Sequence, residues 1–335
     1  MRVVFDPRQL HHAPTHEFHN GALVPHVDTP ARARAILDAV GPTTPPADHG
    51  LAPIAAVHAP DYLAFLQSAH ADWLAADRTG DALPYAFPIV RRRPLDLHRI
   101  DASLGHFAYD AATPITPGMW DAAYWNAQTA FSALDLVLAG ERAAFALCRP
   151  PGHHAGADYL GGYCYLNTAA IAAQAATDAG RRVAVLDVDY HHGNGTQDIF
   201  YARGDLFFAS IHADPATDYP FFWGHADERG EGEGEGATLN LPLAQGTAWP
   251  AYQRALGAAL DAITAWGPNL LVVSFGADTY EGDPISGFKL RTDDYPRMSA
   301  RIAELGIPIL VVMEGGYAVD ALGRNVAAFL SGFPT

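Results

Sequence analysis

Val183-Ala-Val-Leu-Asp187-Val-Asp189-Tyr-His191-His192-Gly-Asn194-Gly195 is the stretch from which the fold is read. Its first four residues form an unbroken apolar run, the pattern of a strand buried on both faces of a parallel sheet. Two carboxylates, two imidazoles and two glycines follow within the same stretch. A buried strand that ends in unpaired charge is costly, so more than a capped turn is expected. In open parallel α/β sheets, ligands bind just beyond the carboxyl ends of the strands. Side chains alternate along an extended chain, so Asp187, Asp189 and His191 fall on one face. A carboxylate and an imidazole placed together suit a divalent metal. Asp187 shares their parity and suits either a cation or the orientation of a histidine.

Strand-like runs recur on both sides of this stretch: Arg2 to Phe5, Ala143 to Leu147, Leu206 to Ile211, Leu270 to Phe275 and Pro308 to Met313. Helical patterns separate them: Pro30 to Val40, Asp61 to Asp77 with Asp61 as its cap, Pro117 to Ala139, Leu166 to Ala179 closed by Gly180, and Ala251 to Ala265. The segment from His11 to His26 carries five histidines and Glu17 without periodicity and reads as a long loop. Gly41 to Pro53 is a Pro/Gly loop. Thr79 to Pro94 is Pro-rich, ends in Arg91-Arg-Arg93 and is long enough to be functional. Gly230 to Gly236 alternates Gly with Glu and reads as a mobile loop, not a phosphate cradle. The alternation predicts one α/β domain over residues 1–335, with a mostly parallel central sheet and helices on both faces.

Asp and Glu number 37 against 21 Lys and Arg, a formal net charge of −16. That balance argues against nucleic acid and anionic membranes as partners and would concentrate cationic substrates. Solubility alone accounts for such a surface equally well. Two cysteines, Cys148 and Cys164, make no disulfide framework. Cys148 lies in an apolar run, and Cys164 has no base motif beside it and reads as a packed thiol. The chain shows no signal peptide and no apolar run long enough to span a membrane, so a cytoplasmic enzyme is expected.

Five apolar runs lead into chemistry-bearing residues: His153-His154, Asp187-Asp189-His191, Ser210-His212, Asp278 and Tyr317. Each has a simpler reading alone. Paired histidines are common on surfaces, Asp278 after Phe-Gly-Ala suits a helix cap, and Gly-Gly-Tyr suits a turn. A parallel sheet brings all five to one edge, where their chemistry is complementary. Asp189, His191 and Asp278 offer two oxygens and one nitrogen and leave a coordination position open, as catalytic zinc sites do. His153 and His154 supply a general base and a general acid. Asp187 and Asn194 are candidates to set their tautomers, and a carboxylate raises the basicity of an imidazole more than an amide does. Tyr317 can donate its hydroxyl to a developing oxyanion. The set suits hydrolysis of an unactivated amide without a serine or cysteine nucleophile.

Arg149-Pro-Pro-Gly-His-His154, Gly161-Gly-Tyr-Cys-Tyr-Leu-Asn167, Asp187-Val-Asp-Tyr-His-His-Gly-Asn194 and Glu314-Gly-Gly-Tyr317 resemble, in order and spacing, the histone deacetylase and acetylpolyamine amidohydrolase family, whose fold is arginase-like. Arginases are similar but use a dimetal Asp-x-His-x-Asp pattern. The Asp-x-Asp-x-His of this chain, with one later Asp, implies a single catalytic metal. The resemblance implies zinc on Asp189, His191 and Asp278, His154 as general base and acid, and His153 with Asp187 as its electrostatic partner. Tyr317 would polarise the acetyl carbonyl. Tyr163 and Tyr219 would wall a tunnel, with the backbone carbonyl of Gly162 on the substrate. Structural potassium would sit on Asp187, the Ser210 hydroxyl and the backbone of Asp189, His191 and Ile211.

Leu23-Val-Pro25, Asp198-Ile-Phe200, His212-Ala-Asp-Pro215 and Asp283-Pro-Ile-Ser286 resemble the bacterial acetylpolyamine branch. There, the counterpart of Thr79 to Pro94 narrows the entrance as a dimer element, which implies a homodimer. Acidic residues at the mouth of those enzymes bind the distant ammonium groups of the substrate. Glu17 and Asp101 match two such positions, while Ala112 departs from a third. The function implied is zinc-dependent removal of acetyl groups from small cationic amines such as acetylputrescine, acetylcadaverine and acetylspermidine. Deacetylation of acetyl-lysine in proteins is an alternative, and a non-catalytic binder of acetylated amines is another. A two-oxygen, one-nitrogen site does not distinguish strongly between zinc and ferrous iron.

Overall fold

Every residue of three of these runs, Val183–Asp187, Leu270–Phe275 and Ile309–Met313, is buried in the computed structural model, which describes residues 1–88, 95 and 97–333. The strands are β1 Arg2–Val4, β2 His16–His19, β3 Ala22–Pro25, β4 Ala143–Ala146, β5 Val183–Asp187, β6 Leu206–Ala213, β7 Thr238–Leu243, β8 Leu270–Phe275 and β9 Ile309–Met313. The helices are α1 Pro30–Val40, α2 Ala52–Ala55, α3 Pro60–Ala75, α4 Ile100–Phe107, α5 Met119–Leu138, α6 Thr168–Asp178, α7 Asn194–Phe200, α8 Trp249–Trp266, α9 Tyr295–Ala303 and α10 Val319–Ser331.

A sheet of seven strands runs in the order β1-β4-β9-β8-β5-β6-β7, and every pairing in it is parallel. Helices flank it in two packed groups. α5 and α6 pack on each other and on the sheet, while α8, α9, α10 and α1 form a second contiguous layer. This is the expected single α/β domain. From β5 the chain moves outward to β6, and from the adjacent β8 it moves the opposite way to β9. Adjacent strands with diverging connections open a crevice at their carboxyl ends. The stretch after β5 and the stretch after β8 both empty into it.

Several local expectations are corrected. The segment from His11 to His26 is not all loop: β2 and β3 pair as an antiparallel hairpin. Asn20 and Gly21 form its turn with φ of 49° and 80°, the left-handed pair that Asn-Gly favours. Asp61 does not cap α3; Ala59 is the N-cap and Pro60 opens the first turn. Gly232–Gly234 is a 3₁₀ turn, and the Glu231 N–H donates to the Tyr201 carbonyl (3.0 Å), so this segment is fastened, not a mobile loop. β7 lies at the sheet edge, which is where a strand tolerates a residue such as Pro242. β7 and helices α2, α4, α7, α9 and α10 lie outside the sequence expectations, and α2 begins inside the segment read as the Gly41 to Pro53 loop. α4 and α7 each make only about two turns, too few for a period to register. Residues 89–94, with Arg91-Arg-Arg93, lie outside the described residues.

A second apolar cluster sits beside the main core. It gathers Tyr62, Leu66, Phe107, Ile115, Met119 and Tyr165 under α3, α4 and α5. The Tyr62 hydroxyl donates to the Tyr165 carbonyl (2.6 Å). This cluster therefore anchors the loop that carries Gly162 and Tyr163.

Within the main core, Phe275 of β8 and Phe329 of α10 stack at 3.7 Å between ring centroids, both fully buried. Replacing Phe329 with Ala removes the ring that seats α10 on the sheet. A loss of about 3–5 kcal/mol is expected, read as a lower urea midpoint at unchanged slope. An unchanged midpoint would show that the stack contributes nothing to stability.

Candidate active site

β5 ends at Asp187, and the chain then bends instead of continuing extended. Asp189 and His191 are therefore not aligned by strand alternation, as expected above. Two successive side-chain-to-backbone bonds align them. The Asp187 carboxylate accepts the Asp189 N–H (3.1 Å), and the Asp189 carboxylate accepts the His191 N–H (2.8 Å). Each is an aspartate holding the backbone two residues on, the local turn this side chain favours. Asp278 arrives from the end of β8.

One ligand atom from each of Asp189, His191 and Asp278 lies within 4.8 Å of the others, and all three residues are buried. His191 Nδ1 is 3.1 Å from Asp278 and 3.4 Å from Asp189. Backbone N–H groups aim the carboxylates: Gly315 donates to Asp189 (2.8 Å) and Tyr190 to Asp278 (2.9 Å). A Cβ on Gly276 would stand 1.9 Å from Asp189 Oδ2, so only glycine fits under this pair. Burial, then the adjacent Asp189 charge, pushes the Asp278 carboxyl up to about 8. Two buried carboxylates that repel each other across one imidazole are short of positive charge, and a divalent cation fits this donor set.

The two paired histidines are held differently, which resolves the alternatives left by the sequence. His153 Nδ1 meets Asp187 Oδ2 at 2.9 Å, and His154 Nδ1 meets Asn194 Oδ1 at 2.7 Å. Burial lowers the basicity of His153, but the Asp187 and Asp189 carboxylates outweigh it and raise this imidazole to about 10. Burial, reinforced by the His153 and His191 charges, holds His154 well below the usual imidazole range. The amide oxygen of Asn194 can only accept, so His154 carries its proton on Nδ1 and its Nε2 lone pair is free.

Glu314 closes β9, and its Oε2 accepts the N–H groups of Gly152 (2.6 Å) and His153 (3.1 Å). That fixes the backbone of the histidine pair. Tyr317 follows on a turn held from two sides. Asp283 accepts the Tyr317 N–H (2.7 Å), and Arg32 donates to the carbonyls of Gly316 (2.5 Å) and Glu314 (2.6 Å). Arg32 also lies 4.6 Å from the Tyr317 ring centre. Burial pushes the Tyr317 phenol well above its ordinary value.

These groups open into a cavity of about 410 Å³ lined by His154, His191, Gly162, Tyr163, Tyr219 and Tyr317. Gly162 is left-handed at φ 54°, and a Cβ there would lie 2.2 Å from the His154 ring, so glycine is required. Glu17 lines the same cavity but is only 3% exposed, not a carboxylate at an open mouth. Burial pushes Glu17 up to about 7. Ala112 also lines the cavity. Asp101 does not reach it. Both its oxygens accept from Arg78 (3.0 and 3.1 Å), one also accepts from Arg99 (2.6 Å), and it lines a separate pocket. The expectation that Asp101 faces the substrate is corrected for the single chain.

Ser210 lies inside β6, in register with Asp187 on β5, and Ile211 follows it. His212 Nε2 meets the Gly224 carbonyl (2.8 Å), which can only accept, so its proton is on Nε2. Its Nδ1 then accepts the Ser210 hydroxyl (2.8 Å). Sequence reasoning passed over Arg32, Asp28, Asp110 and Tyr109. Asp283 and Glu314 stood only inside quoted motifs. Their roles come from contacts across the fold, for which no local pattern exists.

Residues 26–333 match the histone deacetylase domain family. The chain is 49% identical to acetylpolyamine amidohydrolase 2 of Pseudomonas aeruginosa, over 99% of this chain and 98% of the relative. It is 48% identical to the acetylpolyamine amidohydrolase of Mycoplana ramosa, over 99% of each. The crystal structure of acetylpolyamine aminohydrolase from Burkholderia pseudomallei superposes with a TM-score of 0.95 at 42% identity, covering 99% of this chain and 98% of that one.

Removing His191 leaves the two buried carboxylates without their nitrogen ligand. Metal analysis after dialysis against zinc should find about one zinc per wild-type chain and below about 0.1 in His191→Ala. Equal zinc in both would place the ion elsewhere.

Proposed function

We infer the activity from one premise: this chain belongs to the histone deacetylase domain family. It is a hydrolase that deacetylates acetylpolyamines, releasing acetate and the free amine. The observation that carries this is end-to-end similarity, at 49% and 48% identity, to bacterial acetylpolyamine amidohydrolases. A cavity lined both by His191 of the Asp189-His191-Asp278 triad and by the buried Glu17 supports it.

We assign zinc to Asp189, His191 and Asp278, a donor set that also accepts ferrous iron. When bound there, the metal supplies a Lewis acid and brings a coordinated water toward a pKa of about 7. The chain's own residues do the rest. His154 Nε2 takes the proton of the attacking water and returns it to the amine nitrogen as that leaves. Asn194 keeps the other proton on Nδ1, so the lone pair always faces the cavity. His153 stays protonated against Asp187 and offsets negative charge that grows on the substrate. Tyr317 keeps its proton until the acetyl oxygen becomes basic, then donates a hydrogen bond to it. The Gly162 carbonyl accepts the substrate N–H, and Tyr163 and Tyr219 flank the alkyl chain. Structural potassium is assigned to Asp187, the Ser210 hydroxyl and the backbone of Asp189, His191 and Ile211.

We read residues 1–335 as one catalytic unit that works as a homodimer in the cytoplasm, with the described part of the 79–94 loop, residues 79–88, at the entrance and interface. Among the described residues, no helix is long and apolar enough to cross a membrane.

His154→Ala and Tyr317→Phe should each lower kcat by about 10²–10³ or more, with unchanged circular dichroism. Retained turnover in either would remove that residue from the mechanism. On zinc-loaded wild type, kcat/KM for acetylputrescine, acetylcadaverine and acetylspermidine should exceed that for an acetyl-lysine peptide. The reverse order would make protein acetyl-lysine the substrate instead.

A further inference from the structure

Asp110 is the carboxylate at which the walls of the cavity meet. Its Oδ1 accepts from the Ala112 N–H (3.1 Å) and the Thr113 hydroxyl (2.9 Å), both on its own loop. Its Oδ2 accepts from the Gly162 N–H (2.6 Å) and from the Tyr219 hydroxyl (2.8 Å). Those two donors stand 52 and 109 residues away in sequence. Thr113 extends the clamp, because its hydroxyl oxygen accepts the Tyr163 N–H (2.9 Å). Beside Asp110, Tyr109 hydrogen-bonds the Tyr219 hydroxyl and reaches the Asn194 oxygen at 3.4 Å. One acidic side chain thus fixes Gly162, Tyr163 and Tyr219, which together shape the passage to His154.

The clamp also carries charge. Asp110 and Glu17 line the same cavity. Burial is the main force on Glu17, a hydrogen bond with the Tyr163 side chain opposes it, and the negative charges of Asp110 and then Asp28 add smaller upward pushes, so the carboxylates act on each other across the site. Glu17 Oε2 is buried and has no hydrogen-bond partner among the described residues; its nearest cationic candidate, His26 Nε2, is 3.8 Å away. His26 faces it as a neutral ring. The Asp28 N–H donates to His26 Nδ1 (3.0 Å), and burial lowers the imidazole to about 4. A neutral clamp would have held Gly162 and Tyr219 as well. A carboxylate placed opposite an unpartnered carboxylate oxygen leaves the wall short of positive charge, which an ammonium group would supply.

We propose that Asp110 is a specificity-determining residue of this site: it fastens Gly162 and Tyr219 and, with Glu17, selects amide substrates that bear a free ammonium over uncharged ones. The inference rests on the deacetylase reading above and adds the residue that sets its preference for cations.

The test compares N-acetylputrescine with N-pentylacetamide, which has the same length and a methyl group where the ammonium stands. The readout is the ratio of the two kcat/KM values on zinc-loaded enzyme, because damage to the clamp lowers both and cancels. Wild type should favour the cation, and Asp110→Asn should reduce the ratio about tenfold, mainly through KM. Asp110→Glu keeps the charge but misplaces the clamp, so both rates should fall while the ratio holds. Tyr219→Phe should likewise lower both together. An unchanged ratio in Asp110→Asn would make the residue a structural clamp only and overturn the proposal. If Asp110→Asn does not fold, Asp110→Ser decides, because it also removes the charge: a ratio lowered about tenfold supports the proposal and an unchanged ratio overturns it. Wild type inactive on both substrates would instead refute the deacetylase reading.

Discussion

Asp187, Asp189 and Asp278 are all buried at the carboxyl ends of two neighbouring strands, β5 and β8. Burying that much negative charge is costly unless each oxygen is hydrogen-bonded and the charge is countered. Much of the surrounding structure answers this constraint. His153 stands against Asp187 as an imidazolium-forming partner, and His191 places its Nδ1 3.1 Å from Asp278. Backbone N–H groups of Asp189, Tyr190, His191 and Gly315 point inward at the carboxylates. Glycines at 276 and 315 leave room for the carboxylates, because a Cβ at either would overlap them. The remaining deficit of positive charge is one that a divalent cation would offset.

The same constraint sets the difference between the two paired histidines. They are adjacent in sequence, with ring centres 4.0 Å apart. One faces a carboxylate and is held charged; the other faces an amide and is held neutral. A charged neighbour favours the neutral form of the second ring, so each histidine reinforces the state of the other. The asymmetry comes from the choice of Asp187 and Asn194 as partners, and the base proposed at His154 depends on it.

Farther out, buried arginines hold the turns that carry the chemistry. Arg32 and Arg149 both converge on Asp28, which their charges draw down to about 2 against the opposing effect of burial. Arg32 spends its other donors on the Glu314–Tyr317 turn, and Arg149 holds the carbonyls of Gln9 and His12. The turn that carries Tyr317 and the N-terminal segment that presents Glu17 are thus tied through one buried carboxylate. Asp110 does the same for the opposite wall.

The amino-acid sequence by itself determined the parallel sheet, the strand ends where the candidate site collects, and the residues of the triad that could hold a metal. Those are local signals: apolar runs such as Val183 to Leu186, and charged residues placed within a few positions of where such runs stop. Tertiary structure alone decided the pairing of His153 with Asp187 and of His154 with Asn194, across 34 and 40 residues. It alone brought Arg32 to the Glu314 carbonyl across 282 residues. It buried Glu17, turned Asp101 away toward two arginines, and made Asp110 the joint between two walls. The reason is that hydropathy periodicity records which face of an element is buried, and over short distances only. Hydrogen-bond partnership depends on where distant loops meet above the sheet, and the order of strands β8, β5 and β6 fixes that meeting.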